Sequence, residues 1–412
     1  MPYELYVALR YLRAKRKQAF VSAITFISIL GVAVGVMALI VAQAIMTGFY
    51  EEIRAKIIAG DPHLLVWNAH PGEPIRTPAA VQAVLSAMPG VEAVAPVILG
   101  NGLAVGAAGG EPLGVEIRGV DPVEQARLTG VASSMRAGRL ENLTPTSHGI
   151  VLGVDVADAL GVGMGDPVRL IVPQVRLSPL TPPMPRNRNF KVVGIFSTQF
   201  YQWDSTRVYL NIEESASFLL PGSEQAVSAL QVKVGSFSRI ASVGEAAAGL
   251  LGERFYVRNV MERNNDFFKA LRTERVVMFL AIGLIILVAC LNIVSTLILM
   301  VMAKVGEIGA LVAMGARVRG IVAVFMLQGV IIGLVGTGIG SVLGTALCWV
   351  LDTYKLIKLA PEVYFIPTVP FRTGPGDVAL AAGLALAVSF IATLYPSYRA
   401  ARLDPVEALH YE

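Results

Sequence analysis

KVGEIGALVAMGA, residues Lys304–Ala316, is a short polar interruption between two long apolar runs, and its reading decides the fold. Ile308, Leu311 and Val312 recur at i, i+3 and i+4, the spacing of one helical face. Lys304 and Glu307 open the segment, and Gly315 sits where a helix would stop. A short helix between two membrane spans can cap the bundle or receive force from a body outside the membrane.

Working outward, four stretches carry no charged residue: Gln18–Tyr50, Val276–Ala303, Gly320–Leu351 and Val378–Tyr398. Each reaches the roughly 20 residues that a helix needs to cross a bilayer. Charged residues make up 16% of the 412-residue chain, against about 25% in a soluble domain. The expected fold is an α-helical membrane protein with four transmembrane helices and a large α+β outer domain inserted between the first and second. The segments expected are 1–19 (amphipathic), 20–50 (span), 51–272 (outer domain), 273–303 (span), 304–318 (short helix), 319–351 (span), 352–377 (outer loop), 378–398 (span) and 399–412 (tail).

Basic residues set the orientation. Arg10, Arg13, Lys15, Arg16 and Lys17 precede the first span, Lys304, Arg317 and Arg319 separate the second from the third, and Arg399 and Arg402 follow the fourth. The positive-inside rule makes all three places, and both termini, cytoplasmic. Leu5, Leu9 and Leu12 line one face of an N-terminal helix suited to the membrane surface. The first span is too long for a signal-peptide core and reads as an uncleaved anchor. Both cysteines, Cys290 and Cys348, fall inside spans, so no disulfide is expected in the outer domain. A net charge of +4, with basic residues flanking spans, reports topology rather than nucleic-acid binding.

Strands are expected at His63–Trp67, Val91–Val105, Leu113–Val120, Val168–Val172, Phe190–Phe196 and Arg207–Leu210, with helices at Pro78–Met88 and Ile150–Leu160. Leu230–Val234, a helix near Ile240–Leu251 and Phe255–Val260 read as a β–α–β unit. Residues Pro173–Asn189, PQVRLSPLTPPMPRNRN, join two strands through five prolines, which exclude a helix or a central strand. No acidic residue occurs from Pro167 to Trp203, against Arg169, Arg176, Arg186, Arg188 and Lys191. Such a stiff, basic hairpin, with Leu177, Leu180 and Met184 at its tip, suits an acidic docking partner.

Several chemistries are excluded. The chain has no G-x-x-x-x-G-K-[ST] phosphate loop, no H-E-x-x-H, no Cys/His cluster and no G-x-S-x-G elbow. His63, His70, His148 and His410 are scattered, so no metal site is expected. The four charge-free stretches within the spans hold no Asp, Glu, Lys, Arg or His, the groups that ion-coupled transporters place inside the bundle. Asn292, Ser295, Thr296 and Gln328 suit hydrogen bonding between helices. Gly31 and Gly35, and then Gly329, Gly333, Gly336, Gly340 and Gly344, are candidate close-packing positions. A membrane machine without an engine takes its energy from a partner, and Lys304–Ala316 is its cytoplasmic landing site.

Residues 304–315, the glycine-rich third span and the ending YPSYRAARLDPVEAL at 395–409 resemble the FtsX-like permease superfamily, the type VII class of ABC transporters typified by MacB. LRTE at 271–274, NIVSTL at 292–297, NIE at 211–213 and GVAVGVMALIVAQAIMTGF at 31–49 are similar to the lipoprotein-releasing branch, the LolC/LolE type. The resemblance implies a bacterial inner-membrane permease that passes lipoproteins to a periplasmic carrier resembling LolA. It places the outer domain in the periplasm and implies a second permease copy or paralogue as partner. It also implies a separate cytoplasmic ABC ATPase resembling LolD, with ATP and Mg bound there and no cofactor in this chain. Coupling to that ATPase would fall on Lys304, Glu307, Ile308, Leu311 and Gly315. Members usually carry a basic residue where this chain has Val312. The carrier-binding hook would use Pro173, Arg176, Leu177, Pro179, Leu180, Met184, Arg186 and Arg188. A MacB-like efflux or mechanotransmission permease, or an FtsX-like regulator of a cell-wall hydrolase, is the alternative.

Overall fold

The computed structural model describes residues 6, 19–107, 109–173, 185–223, 225–303, 305, 314–315 and 317–400. The expected N-terminal surface helix, the C-terminal tail and most of 304–316 lie outside these residues. The chain divides into two compact units: Glu52–Lys269 with Leu359–Pro367, and the remainder. Helix α1, Ala19–Gly60, has 42 residues and is roughly 60 Å long, about twice the hydrocarbon thickness. It continues ten residues beyond the charge-free run, because residues 51–59 are mostly good helix formers. A Glu52–Lys56 pair at 3.8 Å supports that extension.

The outer unit begins with β1 (Leu64–Asn68), α2 (Pro78–Ser86), the 16-residue β2 (Val91–Gly106) and β3 (Leu113–Val120). Helix α3 (Pro122–Leu128) starts at Asp121, whose carboxylate accepts the N–H groups of Val123 and Glu124. Next come β4 (Met135–Gly138), β5 (Gly149–Gly153), α4 (Val154–Leu160), β6 (Pro167–Val172) and β7 (Arg186–Phe196). The unit closes with β8 (Arg207–Asn211), α5 (Ile212–Leu219), β9 (Ala229–Val234), α6 (Ile240–Leu251) and β10 (Phe255–Asn259).

Two expectations are corrected here. Residues 150–160 are not one helix: Ile150, Val151 and Leu152 form the fully buried centre of β5, and the helix starts only at Val154. Two β-branched residues and a leucine between Gly149 and Gly153 suit a strand covered on both faces, where no alternation survives to reveal it. Val260, expected to end a strand, instead starts the turn of helix Val260–Arg263, capped reciprocally by Asn259 and Glu262.

The strands form two joined sheets. One runs β10-β1-β9-β2, with β9 and β10 flanking β1 antiparallel on either side. Leu64 lies against α6 through Gly244, while Gln231, opposite Leu65, hydrogen-bonds Gln125 of α3 at 2.9 Å. The second sheet closes on itself. Strand β2 pairs with both β3 and β6, β6 with β7, β7 with β5, β5 with β8, and β8 with β3. This six-stranded circuit encloses a core including Ile117, Leu152, Leu170, Phe190, Val192 and Leu210, all buried. Strand β2 serves both sheets, pairing β9 through Val97 and β3 from Ile98 onward.

The other unit contains the charge-free part of α1 with α7 (Asn265–Ala303) from Ala270 onward, α8 (Val318–Tyr354) and α9 (Pro375–Ala400). Among the described residues three helices are long and apolar enough to cross a membrane: Thr25–Gly60, Val318–Tyr354 and Pro375–Tyr398. Helix α8 has two glycine seams. A Cβ at Gly329 or Gly333 would lie 1.9 Å from Thr393 Cγ2 or 2.8 Å from Ser389 Cβ of α9. At Gly336, Gly340 and Gly344 it would meet Val32 at 2.7 Å, the Ala33 carbonyl at 2.5 Å and Ile40 at 3.2 Å on α1.

These seams make one substitution costly and its neighbour harmless. Gly340→Ala should destabilise the α1–α8 contact by about 1–3 kcal/mol, the usual overpacking cost. Gly338→Ala, with no neighbour within 4 Å, should not. Thermal unfolding of the two variants in detergent checks the contrast. A second outcome concerns pH. Buried His63 accepts the Val234 N–H on Nδ1 at 3.0 Å, and burial holds its pKa below the ordinary 6.5. The unfolded chain then takes up a proton that the folded domain refuses, so this stability is whole above pH 6.5 and drains as pH falls toward the folded value. The urea midpoint should drop between about pH 7.5 and about pH 5.5, and drop less in His63→Gln.

Candidate functional site

The β6–β7 ladder holds the described part of the basic stretch singled out in the sequence. It runs antiparallel from Pro167↔Lys191 to Val172↔Arg186. Strand β7 begins directly after Pro185, whose ring nitrogen cannot donate to a ladder. Arg186 and Arg188 are therefore ladder residues and not part of the loop, a correction to the expected hairpin limits. The alternation of Arg186, Asn187, Arg188 and Asn189 before buried Phe190 puts their backbones in the sheet while their long side chains reach its surface.

Arg188 is seated by α5. Its Nη1 donates to Ser217 Oγ at 3.0 Å, and its guanidinium lies 5.4 Å from the centre of the Phe218 ring. Phe218 meets Phe190 edge-on at 5.8 Å, so the hairpin root is continuous with the core of the closed sheet. Across the ladder, Arg169 Nε donates to Asn189 Oδ1 at 3.3 Å. Glu214, also on α5, contacts His148 Nδ1. Burial pushes its carboxyl pKa up, and the His148 hydrogen bond partly opposes that. The described root thus presents Arg169, Arg186, Arg188 and Lys191 with exposed Pro173. Arg176, Leu177, Pro179, Leu180 and Met184 lie outside the described residues.

The other expected sites are placed as follows. Lys304, Glu307, Ile308 and Leu311 lie outside the described residues. Gly315 adopts φ 93°, a backbone shape that favours glycine, two residues before the Arg317 cap of α8. Gly31 and Gly35 are half-buried, and the α1 residues nearest the α8 glycines are instead Ile29, Val32, Ala33, Val36, Met37 and Ile40.

Residues 25–250 match the MacB-like periplasmic core domain, and residues 279–405 match the FtsX-like permease C-terminal domain. The chain is 35% identical, over 99% of both chains, to the lipoprotein-releasing system transmembrane protein LolC of Neisseria meningitidis serogroup B. The chain belongs to the LolC/LolE family. It is also 32% identical to LolC of Xylella fastidiosa strain Temecula1, over 100% of this chain and 99% of that one. Against the lipoprotein-releasing system transmembrane protein LolE of Haemophilus influenzae it is 28% identical, over 98% of each.

One LolC/LolE-type motif has a local physical role. Asn211 of the NIE motif caps α5, its Oδ1 accepting the Glu213 N–H at 2.9 Å, while its Nδ2 donates to the Leu143 carbonyl at 3.0 Å. Ser217 and Phe218, which seat Arg188, were not singled out from the sequence. Only their place on the helix after that cap could have pointed to them.

The root of the hairpin should answer to substitution by burial. Phe190→Ala should cost about 3–5 kcal/mol, as for a large ring removed from a packed core. Arg188→Ala, which loses one charge-assisted bond at a partly exposed site, should cost about 1 kcal/mol. Denaturant unfolding of the two variants measures the difference.

Proposed function

We propose that this LolC/LolE-family chain is the permease subunit of an ATP-driven transporter that lifts lipoproteins from the outer leaflet of the bacterial inner membrane to a periplasmic carrier. The full-length similarity to a lipoprotein-releasing LolC protein carries the reading. Four spans, with α7 as the second, and both termini in the cytoplasm agree with the distribution of Lys and Arg. ATP and Mg belong to a separate cytoplasmic ABC ATPase, which bears on Lys304, Glu307, Ile308, Leu311 and Gly315. A second permease copy or a paralogue completes the pair.

The work to be done is large. Each buried acyl CH₂ resists extraction by about 0.8 kcal/mol, and a lipoprotein has several chains. Nucleotide-driven closure of the ATPases is the source, and movement of the spans the transmission. The cargo path needs no charge, which suits the charge-free spans. The basic hairpin at β6–β7 is the carrier's landing place, through Pro173, Arg176, Leu177, Pro179, Leu180, Met184, Arg186 and Arg188. Long-range attraction between it and an acidic carrier would raise the encounter rate and weaken with salt.

Reconstitution with the ATPase and carrier in lipid vesicles should give ATP-dependent release of a labelled lipoprotein. Deletion of residues 179–185, which leaves the β6–β7 ladder whole, should abolish carrier binding and preserve membrane insertion. Release without ATP would count against the transporter reading. Carrier capture by the deleted protein would overturn the hook.

A further inference from the structure

The outer unit buries an ion cluster where its chain begins and ends. Asp61 directly follows α1, and Arg263 lies two residues before α7. Arg263 Nη2 donates to Asp61 Oδ2 at 2.9 Å and to the Pro62 carbonyl at 3.0 Å. The Val260 N–H donates to the His63 carbonyl at 2.9 Å. The end of one long helix and the approach to the other are thereby held side by side.

The same aspartate reaches the sheet. Its Oδ1 lies 2.8 Å from Arg207 Nη2 on β8 and 3.2 Å from Arg118 Nη1 on β3, as ion pairs without a well-aligned hydrogen bond. Glu116, opposite Arg207 in the parallel β3–β8 ladder, binds Arg118 at 2.9 Å and Arg207 at 3.2 Å. Arg207 also donates to the Gly60 carbonyl at 3.4 Å, at the C-terminal end of α1 where a cation is favoured. Gly60 itself is pressed on Trp203, whose ring would stand 1.7 Å from any Cβ there. Burial would raise the Asp61 pKa, but Arg207, Arg118 and Arg263 outweigh it and hold the carboxylate below its ordinary range.

Stability alone does not account for this arrangement. Asp61, Arg118 and Arg207 have side chains under one tenth exposed, and buried ion pairs are often no more stable than an apolar plug of the same volume. What ions provide and apolar contacts lack is a fixed direction and a heavy penalty for separating the partners. Every member comes from a place that must stay in register: the end of α1, the approach to α7, and two neighbouring strands of the closed sheet that carries the β6–β7 hairpin.

We infer that Asp61, with Arg118, Arg207 and Arg263, is the joint through which displacement of the two long helices reaches the closed sheet and its hairpin. Asp61 is a positioning residue, and this role rests on the transporter reading, which supplies the displacement. A joint of this kind predicts uncoupling rather than simple loss of activity.

The test uses the full permease–ATPase complex in lipid, in wild type, Asp61→Asn, Asp61→Glu and Arg263→Lys. Three quantities are read: ATP hydrolysis, lipoprotein released per ATP, and the change in hydrogen exchange of β3 and β8 amides on trapping with ATP and vanadate. In Asp61→Asn, hydrolysis should stay within about twofold while release per ATP falls roughly tenfold and the exchange change disappears. Asp61→Glu should restore part of both. If Asp61→Asn fails to fold, shown by fast exchange throughout β5 and β7, Arg263→Lys should show the same split. Proportional loss of hydrolysis and release, or an unaltered exchange change in a folded variant, overturns the joint. A wild-type exchange change without lipoprotein release sinks the transporter reading and leaves the joint standing. Release without any exchange change in β3 and β8 does the reverse.

Discussion

The outer unit depends on the antiparallel pairing of β1 with β10. Leu64 stands opposite Asn259 and Asn68 opposite Phe255, so a chain that departs at residue 64 returns beside itself almost two hundred residues later. Closing so long a loop costs only slowly more entropy with length, and the ladder is reinforced by β9 on the other side of β1. Because the two ends meet, the unit can be inserted between two helices without demanding that they separate. Strand β2 then extends the same sheet into a second, closed one, with a core of its own. The β6–β7 ladder is therefore rooted in packed sheet, with Phe190 and Phe218 in the core beside it.

In the membrane unit a different force governs. Lipid chains are as apolar as leucine, so burial alone does not hold helices together, and close backbone approach must. Helix α8 achieves it on two seams with one residue type. Gly329 and Gly333 admit α9, and Gly336, Gly340 and Gly344 admit α1. A side chain at these places would forbid the approach, whereas Gly338, between the seams, has open space. The glycine spacing in the sequence carries the first fact. Which neighbour each glycine admits depends on helix rotation and could not be read from it.

Local signals in the sequence reached as far as local physics did. Absence of charge over long runs marks the three apolar helices found among the described residues, because an unpaired charge is costly in hydrocarbon. Alternation marks β6 and the start of β7, and Pro185, which has no N–H for a ladder, stands at the edge of β7. Strand β5 was invisible because a strand buried on both faces loses its period of two. Arg186 and Arg188 looked like loop residues because they follow a proline-rich stretch, although a ladder uses only backbone groups and tolerates arginine at its surface. The circuit of the second sheet rests on β2 meeting β6, residues 103–106 against 168–171. No periodicity encodes that distant pairing. Asp61, Arg118, Arg207 and Arg263 were likewise dispersed single charges, with no motif to gather them.

Charge is thus placed by opposite rules in the two units. The apolar helices exclude it, since each charge placed in hydrocarbon costs desolvation. The outer unit gathers five charged groups in one cluster, with Asp61, Arg118 and Arg207 buried, and it does so where its chain begins and ends. Packing can resist compression from any direction, but it slides under shear because its contacts are weak and interchangeable. An aspartate shared among three guanidiniums resists sliding as well, since moving any partner leaves an uncompensated buried charge. A unit that only had to stay folded would have no need of that resistance. A unit that has to move as one body when its supporting helices move would need it at those roots.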